Sequence, residues 1–192
     1  GVFILADGQL FPTKNEYFED FESYNEFSEM FILSLQDTDL YWNSILAQSP
    51  AASTVSEYND LQNCIFLGTC DFIDNRIELT GDPVDLTNTV LKFTIVAPTP
   101  EMVTSKASIE STINYFDKGS EGWFQADYLI ESGAPFSLVD FENNFFLEAP
   151  GPRIVLRDSK LEFENKFGEK LQFPGGIGSE ITLGEWFTLK VH

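Results

Sequence analysis

From about residue 88 onward the chain reads as strands, and in several of them apolar and polar residues alternate with a period of two, the signature of a strand with one buried face. In residues 123–131, Phe124, Ala126, Tyr128 and Ile130 fall on one face. Trp123, Gln125, Asp127 and Glu131 fall on the other. Residues 153–158 set Ile154 and Leu156 against Arg153, Val155 and Arg157, and residues 160–164 and 169–173 alternate in the same way. Residues 185–191 point Phe187, Leu189 and Val191 inward. Residues 89–96 are rich in β-branched side chains and 108–116 read as a further strand, while 136–141 and 145–148 read as short Phe-rich ones. Strands spaced by roughly 8–12 residues, with Gly, Pro and Asn between them, predict an antiparallel two-sheet β-sandwich.

The first half reads differently. Residues 1–15 suggest an extended arm turning at Asp7-Gly8 and Pro12. Residues 16–24 suggest a first strand centred near Phe18. Phe27, Met30, Phe31 and Ser34 have helical spacing, and residues 39–47 suit a second helix capped by Asp37 or Asp39. Residues 48–60 are rich in Ser, Ala, Pro and Asn and read as loop.

Several of these strands resemble those of concanavalin A-like (laminin-G-like) jelly rolls. Leu183-Gly-Glu-Trp-Phe-Thr-Leu-Lys-Val191 is similar to the Gly-x-Trp-x-x-Leu-x-Val strand of that superfamily. Gly122-Trp-Phe-Gln-Ala-Asp-Tyr-Leu-Ile-Glu131 resembles its inner strand, residues 153–164 its hairpin, and Phe18-Glu-Asp-Phe-Glu22 its first strand. The resemblance covers residues 14–24 and 105–192. It implies a single jelly-roll domain over 1–192 with an irregular, partly helical insertion at 25–100. In that fold further strands follow the Trp-bearing one, so it also implies C-terminal strands missing after His192, or an edge filled by the N-terminal arm.

Charge narrows the partners. The chain has 31 acids against 11 Lys and Arg, a formal charge of −20. Nucleic acid and anionic membrane surfaces need clustered cations and are poor partners. No apolar run approaches the roughly 18 residues that span a bilayer, so membrane insertion is not expected. Residues 1–75 hold 13 acids and one base, Lys14. Such a face keeps a protein soluble, and can also recruit divalent cations.

Candidate chemistry is sparse. His192 is the only histidine, which removes Ser/His/Asp and Cys/His arrangements. Gly175-Gly-Ile-Gly178 lacks the Lys and helix of a phosphate cradle and reads as a hairpin turn. The Glu-x-Asp-x-x-Glu pattern of jelly-roll glycosidases does not occur. Asp127 and Glu131 stand roughly 13 Å apart on one strand, too far to act as an acid–base pair. Asp37 and Asp39, with Asp71 and Asp74 after them, are candidate loop ligands for calcium; no other cofactor is implied. Cys64 and Cys70 suit a small disulfide loop in a secreted protein, and buried free thiols in a cytosolic one.

Parity selects the ligand-contact candidates. If the strands share one concave sheet, Trp123, Gln125, Asp127, Arg153 and Arg157 converge. An indole stacks on a sugar's apolar face, and the others meet hydroxyls or a uronate, for which a guanidinium fork is well shaped. The expectation is a non-catalytic extracellular, cell-surface or virion-surface module that binds carbohydrate or a protein partner. The alternatives are a fragment of a polysaccharide lyase or glycosidase, and a structural subunit that assembles with others.

Overall fold

The computed structural model describes residues 3–6, 9–12, 16–30, 42, 44–48, 54–70, 74–98, 100, 105–111, 121–133, 135–141, 151–165, 169–171 and 180–192. Among the described residues strands predominate over helix, and every strand pair is antiparallel. The chain divides into two compact units, Gly1–Phe116 and Asp117–His192.

In the first unit, β1 (Phe3–Ala6) and β2 (Gln9–Pro12) pair antiparallel, Ile4 opposite Phe11; the turn expected at Asp7-Gly8 lies outside the described residues. Residues 16–24 are not the expected strand. Acidic side chains take the backbone donors that a ladder would use: Glu19 accepts from Phe21 N–H at 2.8 Å and Asp20 from Glu22 N–H at 3.1 Å. Phe21 turns the chain with φ 63°, and Phe18 is exposed. Where a helix was expected over 39–47, residues Ser44–Gln48 form β3, paired with β6 (Lys106–Glu110) so that Ile45 faces Ile109. Burial of that pair overrides the helical spacing.

Part of the expected 48–60 loop is helix α1, Val55–Phe66. Thr54 and Glu57 form a reciprocal capping box, and Leu61 and Ile65, one turn apart, enter the core. In its last turn, Cys64 is disulfide-bonded to Cys70, which lies past the helix end, with Gly68 at φ 67° between them. The core gathers Tyr24, Met30, Ile45, Leu61 and Ile65, with Phe21, Phe27 and Trp42 packed against it.

β4 (Arg76–Gly81) and β5 (Thr89–Thr94) form a longer hairpin. A polar clamp secures its base. Asn75 donates to Ser105 Oγ and the Lys106 carbonyl, each at 3.0 Å, and accepts from Val96 N–H at 2.9 Å.

In the second unit, β7 (Phe124–Leu129) pairs with β12 (Trp186–Val191). A separate sheet has the order β11 (Lys170–Leu171), β10 (Lys160–Glu164), β9 (Arg153–Arg157), β8 (Phe136–Asp140). The apolar faces of both sheets meet in one cluster. Ile130 and Leu189 come from one side and Ile154, Leu156 and Leu161 from the other, with Phe124, Tyr128, Phe163 and Phe187 packed around them. The parities expected for residues 123–131, 153–158 and 185–191 are therefore those observed. Asp158 and Ser159 join β9 to β10 with φ of 46° and 63°, the double left-handed geometry of a type I′ turn. The expected strand at 145–148 lies outside the described residues.

Candidate binding face

Because the apolar sides of β7 and β12 are committed to the core, their other side meets solvent. Register fixes its rungs: Asp127 opposes Thr188, Gln125 opposes Lys190, and Leu129 opposes Trp186. Trp123 and His192 flank the last paired rung. Their rings stack with centroids 3.8 Å apart and an interplanar angle of 8°. Trp123 is still 78% exposed, which leaves much of the indole open to solvent. His192 Nε2 lies 3.7 Å from Glu121 Oε2. Thr188 Oγ1 donates to Asp127 Oδ1 at 2.5 Å, which fixes one carboxylate oxygen and leaves the other for a ligand donor.

The structure thus brings Trp123, Gln125 and Asp127 together and sets Arg153 and Arg157 elsewhere. The arginines lie on β9, in the four-stranded sheet, on its polar face. There each faces acids. Arg157 Nε meets Glu162 Oε2 at 2.9 Å and Arg157 Nη2 meets Glu164 Oε1 at 2.7 Å. Lys170 reaches Glu162 at 2.6 Å, and Arg153 lies 3.5 Å from Asp140. The Glu164 contact holds the Arg157 guanidinium above its ordinary value. The Lys170 hydrogen bond, followed by the Arg157 contacts, holds the Glu162 carboxyl below the usual carboxylate range. These guanidiniums are engaged in ion pairs and do not share the Trp123 face.

Sequence reading missed Thr188, Trp186, Lys190 and His192. Their signal was present, because the polar parity of 185–191 follows once Phe187, Leu189 and Val191 are assigned inward. Which strand lies beside β7 was not legible, and that pairing is what adds them. Asp37 and Asp39 lie outside the described residues, as does Asp71. Among the described residues no group of three or more His, Cys, Asp or Glu is placed to hold a metal ion. No helix among them is long and apolar enough to cross a membrane.

Scans against protein-family models, curated proteins and solved structures return no match.

Proposed function

We propose that the second unit is a non-catalytic carbohydrate-binding module of the concanavalin A-like jelly-roll kind, working outside the cell or on a particle surface. The observation that carries this reading is Trp123: a large, exposed, flat ring held by a stacked neighbour, at the end of a row of polar groups. The ring offers a sugar's C–H face an apolar surface. Gln125 supplies an amide donor and acceptor, Asp127 an acceptor, and Lys190 a donor. Orienting the carboxylate and the ring before the ligand arrives lowers the ordering cost of binding. Acids at Glu121 and Asp127 beside Lys190 favour a neutral glycan over a polyanionic one.

Glycan-array screening followed by calorimetry tests the proposal. Trp123→Ala is expected to weaken the best neutral glycan at least about tenfold, ~1.4 kcal/mol. Arg157→Ala is expected to leave affinity unchanged, since that side chain serves the other sheet. Glycan binding indifferent to Trp123→Ala and Gln125→Ala would move the site elsewhere. Binding to no glycan at all would put the structural-subunit reading first.

A further inference from the structure

Residues 82–88 join β4 to β5. Polar groups of the loop fix its course. Asp82 N–H donates to the Asn88 carbonyl at 2.8 Å and closes the loop at its base. Asp82 Oδ1 accepts from Val84 N–H at 2.8 Å, a side-chain turn around Pro83. Asp85 Oδ1 accepts from the Thr87 N–H and hydroxyl at 3.0 and 2.7 Å, and the Asp85 carbonyl accepts from Asn88 N–H at 2.9 Å. Leu86 lies back over Gly81, where a Cβ would come within 3.4 Å of Leu86 Cδ2. Glu22 fastens the loop's exit, accepting from Thr89 N–H at 2.5 Å and from its hydroxyl at 2.9 Å.

On this ordered loop the two large apolar side chains face water. Val84 is 75% exposed and Leu86 82%. Among the described residues neither packs into a core cluster. A loop that only reverses the chain takes polar residues or glycine at such positions. Chain reversal therefore does not account for them, whereas contact with a partner does. Apolar side chains on a loop already held in shape bind at low ordering cost.

Charge selects the partner. Asp85 stands between the two apolar residues, and Glu22 lies at the loop's exit. The Thr87 hydroxyl, followed by its N–H, holds the Asp85 carboxyl below its ordinary value, so it is ionised at neutral pH. Residues 1–116 carry 18 acids and four bases. An anionic membrane surface and a second copy of the chain, formally −20, are both repelled. A basic segment is attracted.

We propose that the β4–β5 loop is a docking site for a protein partner, received through a segment in which apolar side chains stand beside Lys or Arg. The loop belongs to the first unit, so the site is independent of the sugar face read on the second.

A random peptide library displayed on phage and panned on the 192-residue chain is expected to enrich peptides that combine Lys or Arg with aliphatic or aromatic residues. Synthetic copies of those peptides should bind the wild type, and Val84→Ser and Leu86→Ser should each weaken them at least about tenfold. Both side chains are already in water, so neither substitution should move the melting temperature. Asp85→Asn keeps an oxygen for Thr87 and removes the charge. It should weaken binding and flatten the fall in affinity between about 0.05 and 0.3 M salt. Enrichment of no peptide, or of peptides without Lys or Arg, would overturn the proposal. So would peptides that bind Val84→Ser and Leu86→Ser as tightly as wild type. A melting temperature lowered by either substitution would overturn it too, by assigning that side chain to the fold.

Discussion

Single side chains hold much of the first unit in place. Asn75 is 1% exposed, and its amide serves three segments: the end of β5, Ser105 and the start of β6. Asn75→Ala would leave the Val96 N–H and the Lys106 carbonyl without that partner inside the fold. Each such group costs about 1–3 kcal/mol. A drop of at least about 2 kcal/mol in unfolding free energy is expected, read from the urea midpoint. Glu19 plays a similar role: one oxygen accepts from Tyr24 OH at 2.8 Å and from Trp42 Nε1 at 2.9 Å, and the other from Phe21 N–H. These bonds stabilise the left-handed turn at Phe21, which would otherwise be costly for a non-glycine residue. In the second unit, burial pushes the Tyr128 hydroxyl from 10.0 up to about 12. The folded state therefore keeps this proton more tightly than the unfolded state. The stability so gained is complete below pH 10.0 and is lost as pH rises towards about 12. Tyr128→Phe should flatten the alkaline fall of the unfolding midpoint across that window, and an unaltered fall would reassign it to other groups.

At the scale of elements, the β9–β10 hairpin carries a measurable strain. A type I′ turn needs positive φ at both central residues, and here they are Asp158 and Ser159. Asp tolerates that geometry, whereas Gly is the preferred second residue. Ser159→Gly is expected to stabilise by about 0.5–1 kcal/mol, the left-handed penalty removed less the added chain entropy. A lower melting temperature for Ser159→Gly would refute this account. Much of this half was legible in the sequence. In residues 123–131, 153–158, 160–164 and 185–191 the core-facing apolar residues recur at every second position, and a half-buried strand leaves that trace wherever its neighbours lie; Val155, buried on the outward parity, is the departure. The first half was less legible because distant contacts decide it. Ile45 belongs to a strand because Ile109 is opposite, and residues 16–24 are irregular because Glu19 and Asp20 bind their own backbone. Helix α1 did leave local signals, Thr54-x-x-Glu57 and the Leu61–Ile65 spacing, within a Ser- and Pro-rich stretch whose composition pointed to loop. The candidate face was half legible: parity exposed Trp123, Gln125 and Asp127, while only strand pairing could separate them from Arg153 and Arg157 and join them to Thr188 and Lys190.

For the molecule as a whole, a formal charge of −20 stores repulsion that folding compresses. Added sodium chloride screens it, so the melting temperature should rise between about 0.02 and 0.3 M salt. A fall over that range would mean that ion pairs such as Arg157 with Glu162 and Glu164 outweigh the net repulsion. The three tryptophans are also unequally placed. Trp123 is largely in water and Trp186 is 38% exposed, whereas Trp42 is packed against the first unit's core with its indole N–H on Glu19. The chain therefore carries its own optical reporter. Unfolding of the first unit should shift indole emission to the red through Trp42, while Trp123 already emits as a solvated indole, so fluorescence and far-ultraviolet circular dichroism followed together would separate the melting of the two units without any label.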